Sequence, residues 1–201
     1  MKYSAILLIG PTGSGKSPLG DALERIGFHG VTCHHFDFGE RLRTCVKSKP
    51  SFLGADEIEV IRVRLQTNGL LENACFPIAR KILNAFIEEK RVRDRDLVVL
   101  NGLPRHQEQA EALADSINVV MVVELRADPR IILKRIHTNT GGDRAGRTDD
   151  SVREIKYKVR LFHEHTEPLL AFYRERGVPV RTVHVTQEIT PEEMVRQLPL
   201  G

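Results

Sequence analysis

A chain of 201 residues, 28% of them charged and with a formal net charge of +3, is long enough for one domain with a real core and small insertions. The charge is too small to argue for nucleic-acid binding, and no apolar run approaches the roughly 18 residues needed to span a membrane. Cys33, Cys45 and Cys75 are odd in number and lack metal-ligand spacing. They fit reduced thiols, and with no signal-peptide pattern the expectation is a cytoplasmic protein.

The first predicted element is a short buried strand over 5–9. It runs into Gly10-Pro11-Thr12-Gly13-Ser14-Gly15-Lys16-Ser17, which fits G-x-x-x-x-G-K-[ST], and a helical pattern follows over 18–26. Strand, glycine loop and helix are the context a phosphate-binding loop needs. Glycines let successive backbone N–H groups turn inward on a phosphate, and the helix N-terminus adds its dipole. Lys16 is then expected to reach the β/γ-phosphates and Ser17 to place a hydroxyl on Mg²⁺. Pro18 suits the first helical turn, where its missing N–H costs nothing. Gly10, Thr12, Gly13, Ser14, Gly15, Lys16, Ser17 and Pro18 are thus the expected ATP-binding residues.

Further along, short apolar runs alternate with helical patterns, which predicts an α/β fold with a parallel sheet covered on both faces. The remaining strands are expected at 30–34 (weakly), 97–100, 119–125 and 180–185. Residues 40–90 read as helices without a strand, longer than a simple crossover needs, and so predict a helical insertion over the nucleotide site. Alternating charges over 88–96 read as a solvated helix end and loop. The polar, glycine- and threonine-rich stretch 137–146 has no hydrophobic period and reads as a mobile lid. His34-His35 and the pair His163 and His165 read as structural or surface groups, because neighbours on a strand point to opposite faces.

Several segments together resemble the adenylate kinases and related nucleoside monophosphate kinases. Asn101-Gly102-Leu103-Pro104-Arg105 with Gln109-Ala110 looks like the family's DGFPR…QA segment. Gly39-Glu40-Arg41-Leu42-Arg43 is similar to its GD-x-x-R segment. Ile132-Leu133-Lys134-Arg135 and Gly146-Arg147-Thr148-Asp149-Asp150 look like lid entry and lid exit, and residues 163–173 resemble the helix after the lid. The resemblance runs from Ile6 to about Gly177, in the family's order and nearly its spacing.

The resemblance implies a three-layer P-loop fold, with core 1–38, 91–136 and 147–201, a monophosphate-binding insertion 39–90 and a short lid 137–146. It implies transfer of the γ-phosphoryl of Mg·ATP to AMP or another nucleoside monophosphate. Arg43 and Arg105 match the arginines that hold the acceptor phosphate, a task suited to the planar guanidinium fork. Arg135 and Arg147 match the lid arginines over the donor phosphates, with Arg147 also on the acceptor side, and Gln109 matches the residue that reads the acceptor base. Lys16, Arg105, Arg135, Arg147 and Lys158 are the expected catalytic set. Phe38, Arg43, Gly102, Arg105, Gln109 and Arg147 are the expected acceptor set. The implied partners are ATP and a monophosphate, with no nucleic acid, no membrane and a monomeric state. The lid segment has no cysteine, so no zinc is expected there.

Three departures leave the acceptor open. Asn101 stands where the family has Asp, which keeps an acceptor oxygen for the Mg²⁺ water shell but loses the charge. Lys158 replaces an arginine, and Arg160, two residues on, faces elsewhere on a helix. Phe38 replaces a small hydroxyl residue beside the acceptor base. A P-loop kinase for another small acceptor, or a nucleotide-binding regulatory module of poor turnover, is therefore the alternative.

Overall fold

The structure, a computed structural model, describes residues 2–67, 73–143 and 151–198. Its centre is a five-stranded, all-parallel sheet in the order β2-β3-β1-β4-β5. The strands are β1 (Tyr3–Ile9), β2 (Cys33–Asp37), β3 (Leu97–Asn101), β4 (Ile117–Arg126) and β5 (Val180–His184). The α/β class expected from sequence is what the chain adopts.

Strand alternation divides the core. On β1, Ala5, Leu7 and Ile9 join the cluster on one face, while Ile6 and Leu8 join the cluster on the other. Both faces are covered, so the strand reads as one apolar run rather than as alternating residues. One face carries α2 (Phe38–Ser48), α3 (Ala55–Thr67), α4 (Phe76–Lys90), α5 (Gln107–Leu113) and α8 (Leu169–Glu175). The other carries α1 (Lys16–Ile26) and α9 (Pro191–Arg196), which Arg25 and Glu192 tie together across the surface. Ile132 and Ile136 of α6 (Pro129–Thr138) pack with Ile155 of α7 (Val152–Leu161) in a small separate cluster.

Three local outcomes differ from the sequence expectation. β2 begins at Cys33, not Gly30, because His29 and Gly30 both have positive φ (49° and 80°) and close a tight turn. Phe28 and Val31 exchange both backbone hydrogen bonds at 2.9 Å across it. A two-residue turn of that hand needs positive φ at both centres, which glycine takes freely and histidine more readily than most. Second, the 39–90 stretch, expected as a helical insertion, also packs on the sheet through its last helix. On α4, Ile78, Ala79, Ile82, Leu83 and Phe86 belong to the sheet's core cluster, and the Phe86 and Phe36 rings meet edge to face at 5.1 Å. Third, Asp96 ends the charged run yet its side chain is only 2% exposed.

Asp96 accepts from the backbone N–H of Arg93, from the Arg93 guanidinium and from His34 Nε2. Burial pushes its carboxyl up, but these donors outweigh burial and hold it well below the usual carboxylate range. A depressed carboxyl contributes stability above the unfolded-state value near 4, and that contribution is lost as pH falls toward the folded-state value. Asp96→Ala is expected to cost about 2 kcal/mol at neutral pH, from donors left unpaired. The gap to wild type should close as the pH is lowered below about 4. Urea unfolding of both proteins at pH 7 and pH 3 checks this; a gap that widens in acid would exclude the assignment.

Candidate active site

The carboxyl ends of β1, β2 and β3 surround one cavity of about 220 Å³. In open parallel sheets this is where ligands bind. Its floor is the glycine loop: Gly10, Thr12, Gly13, Gly15, Lys16 and Ser17 all line it. Gly15 sits at φ 94° as the residue before α1, a left-handed conformation that lets the loop turn straight into the helix. Lys16 Nζ donates to the carbonyl oxygens of Gly10 and Pro11 at 2.7 and 2.8 Å, which folds the side chain back along the loop. Ser14 is fully buried, and its hydroxyl has no hydrogen-bond partner among the described residues. Pro18 and Ser14 are buried and do not line the cavity.

The opposite wall comes from α2 and from the turn after β3. Asp37 ends β2 and caps α2, its Oδ1 accepting the Glu40 N–H at 3.0 Å. Phe38, Gly39, Leu42 and Arg43 line the cavity just beyond. Phe38 is only 5% exposed and stacks on Phe36 at 6.0 Å, so most of its ring belongs to the core. Arg105 Nε donates to the Gly102 carbonyl at 3.1 Å, and its backbone N–H donates to Gln109 Oε1 at 2.9 Å. Burial draws the Arg105 guanidinium below its usual range, opposed by the Asp37 charge. Such an arginine gains most from an anionic partner.

The far end is closed by α7 and the π-helical turn Phe162–Thr166 that follows it. Such turns shift the side-chain register of a helix, and here Lys158, Leu161, Phe162 and Thr166 reach the cavity. Arg160 is outside, near Glu164 at 3.8 Å and over the Tyr157 ring.

Most of the sequence-derived set thus meets in one place: Gly10, Thr12, Gly13, Gly15, Lys16, Ser17, Phe38, Arg43, Asn101, Gly102, Arg105, Gln109 and Lys158 all line the cavity. Arg135 does not line it. It is 3% exposed, donates to the Thr186 and Gln187 carbonyl oxygens at 2.9 and 3.0 Å, and lies against Gly15 from behind. It fastens the segment after β5 to the loop. Arg147 lies outside the described residues, as does the lid from residue 144 onward. The lining also includes Asp37, Arg64, Leu65 and Asp143, which the motifs did not single out. Asp37 gave no such signal, because the serine that it meets lies 20 residues away in the chain.

The histidines keep structural roles. His34 meets Asp96 and His35 meets Asp21, on opposite sides of β2, while His163 pairs with Glu167 along one turn.

The sequence is similar to those of several adenylate kinases. An adenylate kinase of Parvibaculum lavamentivorans is 30% identical over 187 residues, covering 89% of this chain and 82% of the relative. The chain belongs to the adenylate kinase family. An adenylate kinase of Nitrobacter winogradskyi is 29% identical over 184 residues, covering 86% of this chain and 81% of the relative. One of Encephalitozoon cuniculi is 26% identical over 177 residues, covering 88% and 87%. No protein-family model matches the chain. At family level the chain is a nucleotide-binding phosphotransferase, a nucleoside monophosphate kinase. Among the described residues no helix is long and apolar enough to cross a membrane.

Proposed function

We propose that the chain transfers the γ-phosphoryl of Mg·ATP to AMP, with ATP on the glycine-loop side of the cavity and the monophosphate between α2 and the turn after β3. The observation that carries this reading is the convergence of Lys16, Arg43, Arg105 and Lys158 on one cavity. Bringing two polyanions together needs several cations and little water, and needs no general base, because the acceptor phosphate is already an anionic nucleophile.

In this reading Lys16 leaves the Gly10 and Pro11 carbonyls and stabilises charge on the moving phosphoryl group. Arg43 and Arg105 clamp the acceptor phosphate, and Lys158 covers the donor side without the bidentate fork of an arginine. The hydroxyl of Ser17, at the first turn of α1 among oxygen donors, suits Mg²⁺, a hard cation that prefers oxygen. When bound, the ion would neutralise phosphate charge, with Ser17 as a residue that would hold it. In this reading residues 39–90 supply the acceptor-side insertion, with α2 and α3 within it, and residues 137–146 supply the lid. A cytoplasmic, monomeric enzyme without zinc completes the proposal.

In this reading Gln109 reads the acceptor base, and its Oε1 also holds Arg105 by accepting the Arg105 N–H. Gln109→Ala should therefore lower kcat/KM for AMP about tenfold, the worth of roughly one hydrogen bond. It should also narrow the preference for AMP over CMP. Measuring kcat/KM for both acceptors checks it; an unchanged preference would remove Gln109 from base recognition.

Double occupancy tests the whole reading. A bis-adenosine polyphosphate, carrying an adenosine at each end of one phosphate chain, should bind one per chain and exclude both ATP and AMP. Competition with ATP alone would place the acceptor elsewhere.

A further inference from the structure

Three polar side chains meet where β2, β3 and α1 come together. Ser17 Oγ donates to Asp37 Oδ2 at 2.6 Å, and Asn101 Nδ2 donates to the same carboxylate oxygen at 2.9 Å and to Ser17 Oγ at 3.1 Å. Strand register produces this meeting: Asp37 stands directly opposite Asn101 in the parallel β2–β3 pair. The three residues line the cavity beside Lys16.

We propose that the carboxylate serving the nucleotide's Mg²⁺ in this chain is Asp37, at the end of β2, with Ser17 as its hydroxyl partner and Asn101 as the residue that positions it. The inference rests on reading Gly10–Ser17 as the donor-phosphate site.

The family resemblance leads one to expect Asp at position 101. A carboxylate there would stand within hydrogen-bond distance of Asp37, and two carboxylates so close do not both ionise readily. Asn101 removes that repulsion and supplies a donor, so Asp37 and Asn101 together read as one relocated charge. Asn101 is 4% exposed and neutral, and it steadies the carboxylate without replacing it. Asp37 divides its oxygens: Oδ1 caps α2, and Oδ2 faces Ser17. Burial raises its carboxyl, but the Ser17 hydroxyl, the Glu40 amide and the charges of His35 and Arg43 outweigh burial, so it is held below the usual range and ionised. Among the described residues no group of three or more His, Cys, Asp or Glu is clustered for a metal. One carboxylate, one hydroxyl and substrate phosphates are a sufficient set for Mg²⁺, which keeps several waters.

The test is calorimetric titration of the full chain with ATP, with and without Mg²⁺, on wild type, Asp37→Asn and the exchanged pair Asp37→Asn with Asn101→Asp. Asn at 37 keeps an oxygen for the Glu40 amide, and an unchanged Tm verifies the fold. In wild type, Mg²⁺ should tighten ATP about tenfold, a coupling of ordinary size. Asp37→Asn should lose most of that gain while binding metal-free ATP as well as wild type or better. The exchanged pair should recover it, because the carboxylate returns beside Ser17. Mn²⁺ as a spin probe, read by EPR with ATP present, should show the same loss and recovery without turnover. An Asp37→Asn protein that keeps the whole Mg²⁺ gain overturns the proposal. A wild-type chain that binds no ATP under either condition overturns the donor-site reading, and the proposal with it.

Discussion

Lys16→Ala should lower kcat by at least about 10²- to 10³-fold, the scale set by removing one preorganised charge-stabilising donor from a reaction centre. Lys16 is the residue of the glycine loop whose charge can follow the phosphoryl group. Its Nζ is held at 2.7 and 2.8 Å by the Gly10 and Pro11 carbonyls, so it is parked beside the site. It has no place in any hydrophobic cluster. Truncation should therefore leave the circular dichroism spectrum intact and shift stability only slightly. Because the lost interaction belongs to the transition state, kcat and kcat/KM should fall together. Lys16→Ala with near-normal turnover would show that another cation does this work.

Arg105→Ala should cost about 2–5 kcal/mol in kcat/KM for the acceptor, the range for truncating one partner of a buried charged pair. Arg105 is held by its own turn, through Gly102 and Gln109, and faces the cavity from beneath α2. Arg43 approaches from α2 itself, its Nη1 beside Gly39. Two arginines on separate elements can grip one phosphate only while both elements stay in place, so Arg43→Ala and Arg105→Ala should both raise KM for AMP and spare ATP affinity. Arg105→Lys should recover only part of the loss, because a lysine offers a point charge in place of a fork. If both alanine variants bind ATP weakly and use AMP normally, the two halves of the cavity have been assigned the wrong way round.

The sheet was legible because a strand buried on both faces is an uninterrupted apolar run, as at Ala5–Ile9, and because the glycine loop fixes what stands on either side of it. β2 was less legible. Its last residues, His35, Phe36 and Asp37, include two polar side chains whose partners, Asp21 on α1 and Ser17 on the loop, are distant in sequence. For the same reason Asp37 escaped notice although it touches both Ser17 and Asn101. The charged run at 88–96 is a largely exposed helix end and loop, as the sequence read, except at Asp96, buried by a turn that returns Arg93 to it. Arg135 stands at the entry to the lid, where the sequence put it, and the contacts of its guanidinium with the Thr186 and Gln187 carbonyls had no signal in the sequence. Lys158 was expected from the resemblance, where the family has an arginine after the lid, whereas the π-helical turn after it, which brings in Phe162 and Thr166, has no such sequence signature.

The most direct measurement of the central claim is steady-state turnover of the wild-type chain with Mg·ATP, labelled in its γ-phosphoryl group, against AMP, GMP, CMP and UMP. The expected result is AMP-dependent formation of ADP, with kcat on the order of 1–10³ s⁻¹ and the label in the β-position of the ADP made from AMP. The contrary result is a chain that binds ATP but transfers its γ-phosphoryl group to none of the four monophosphates faster than to water.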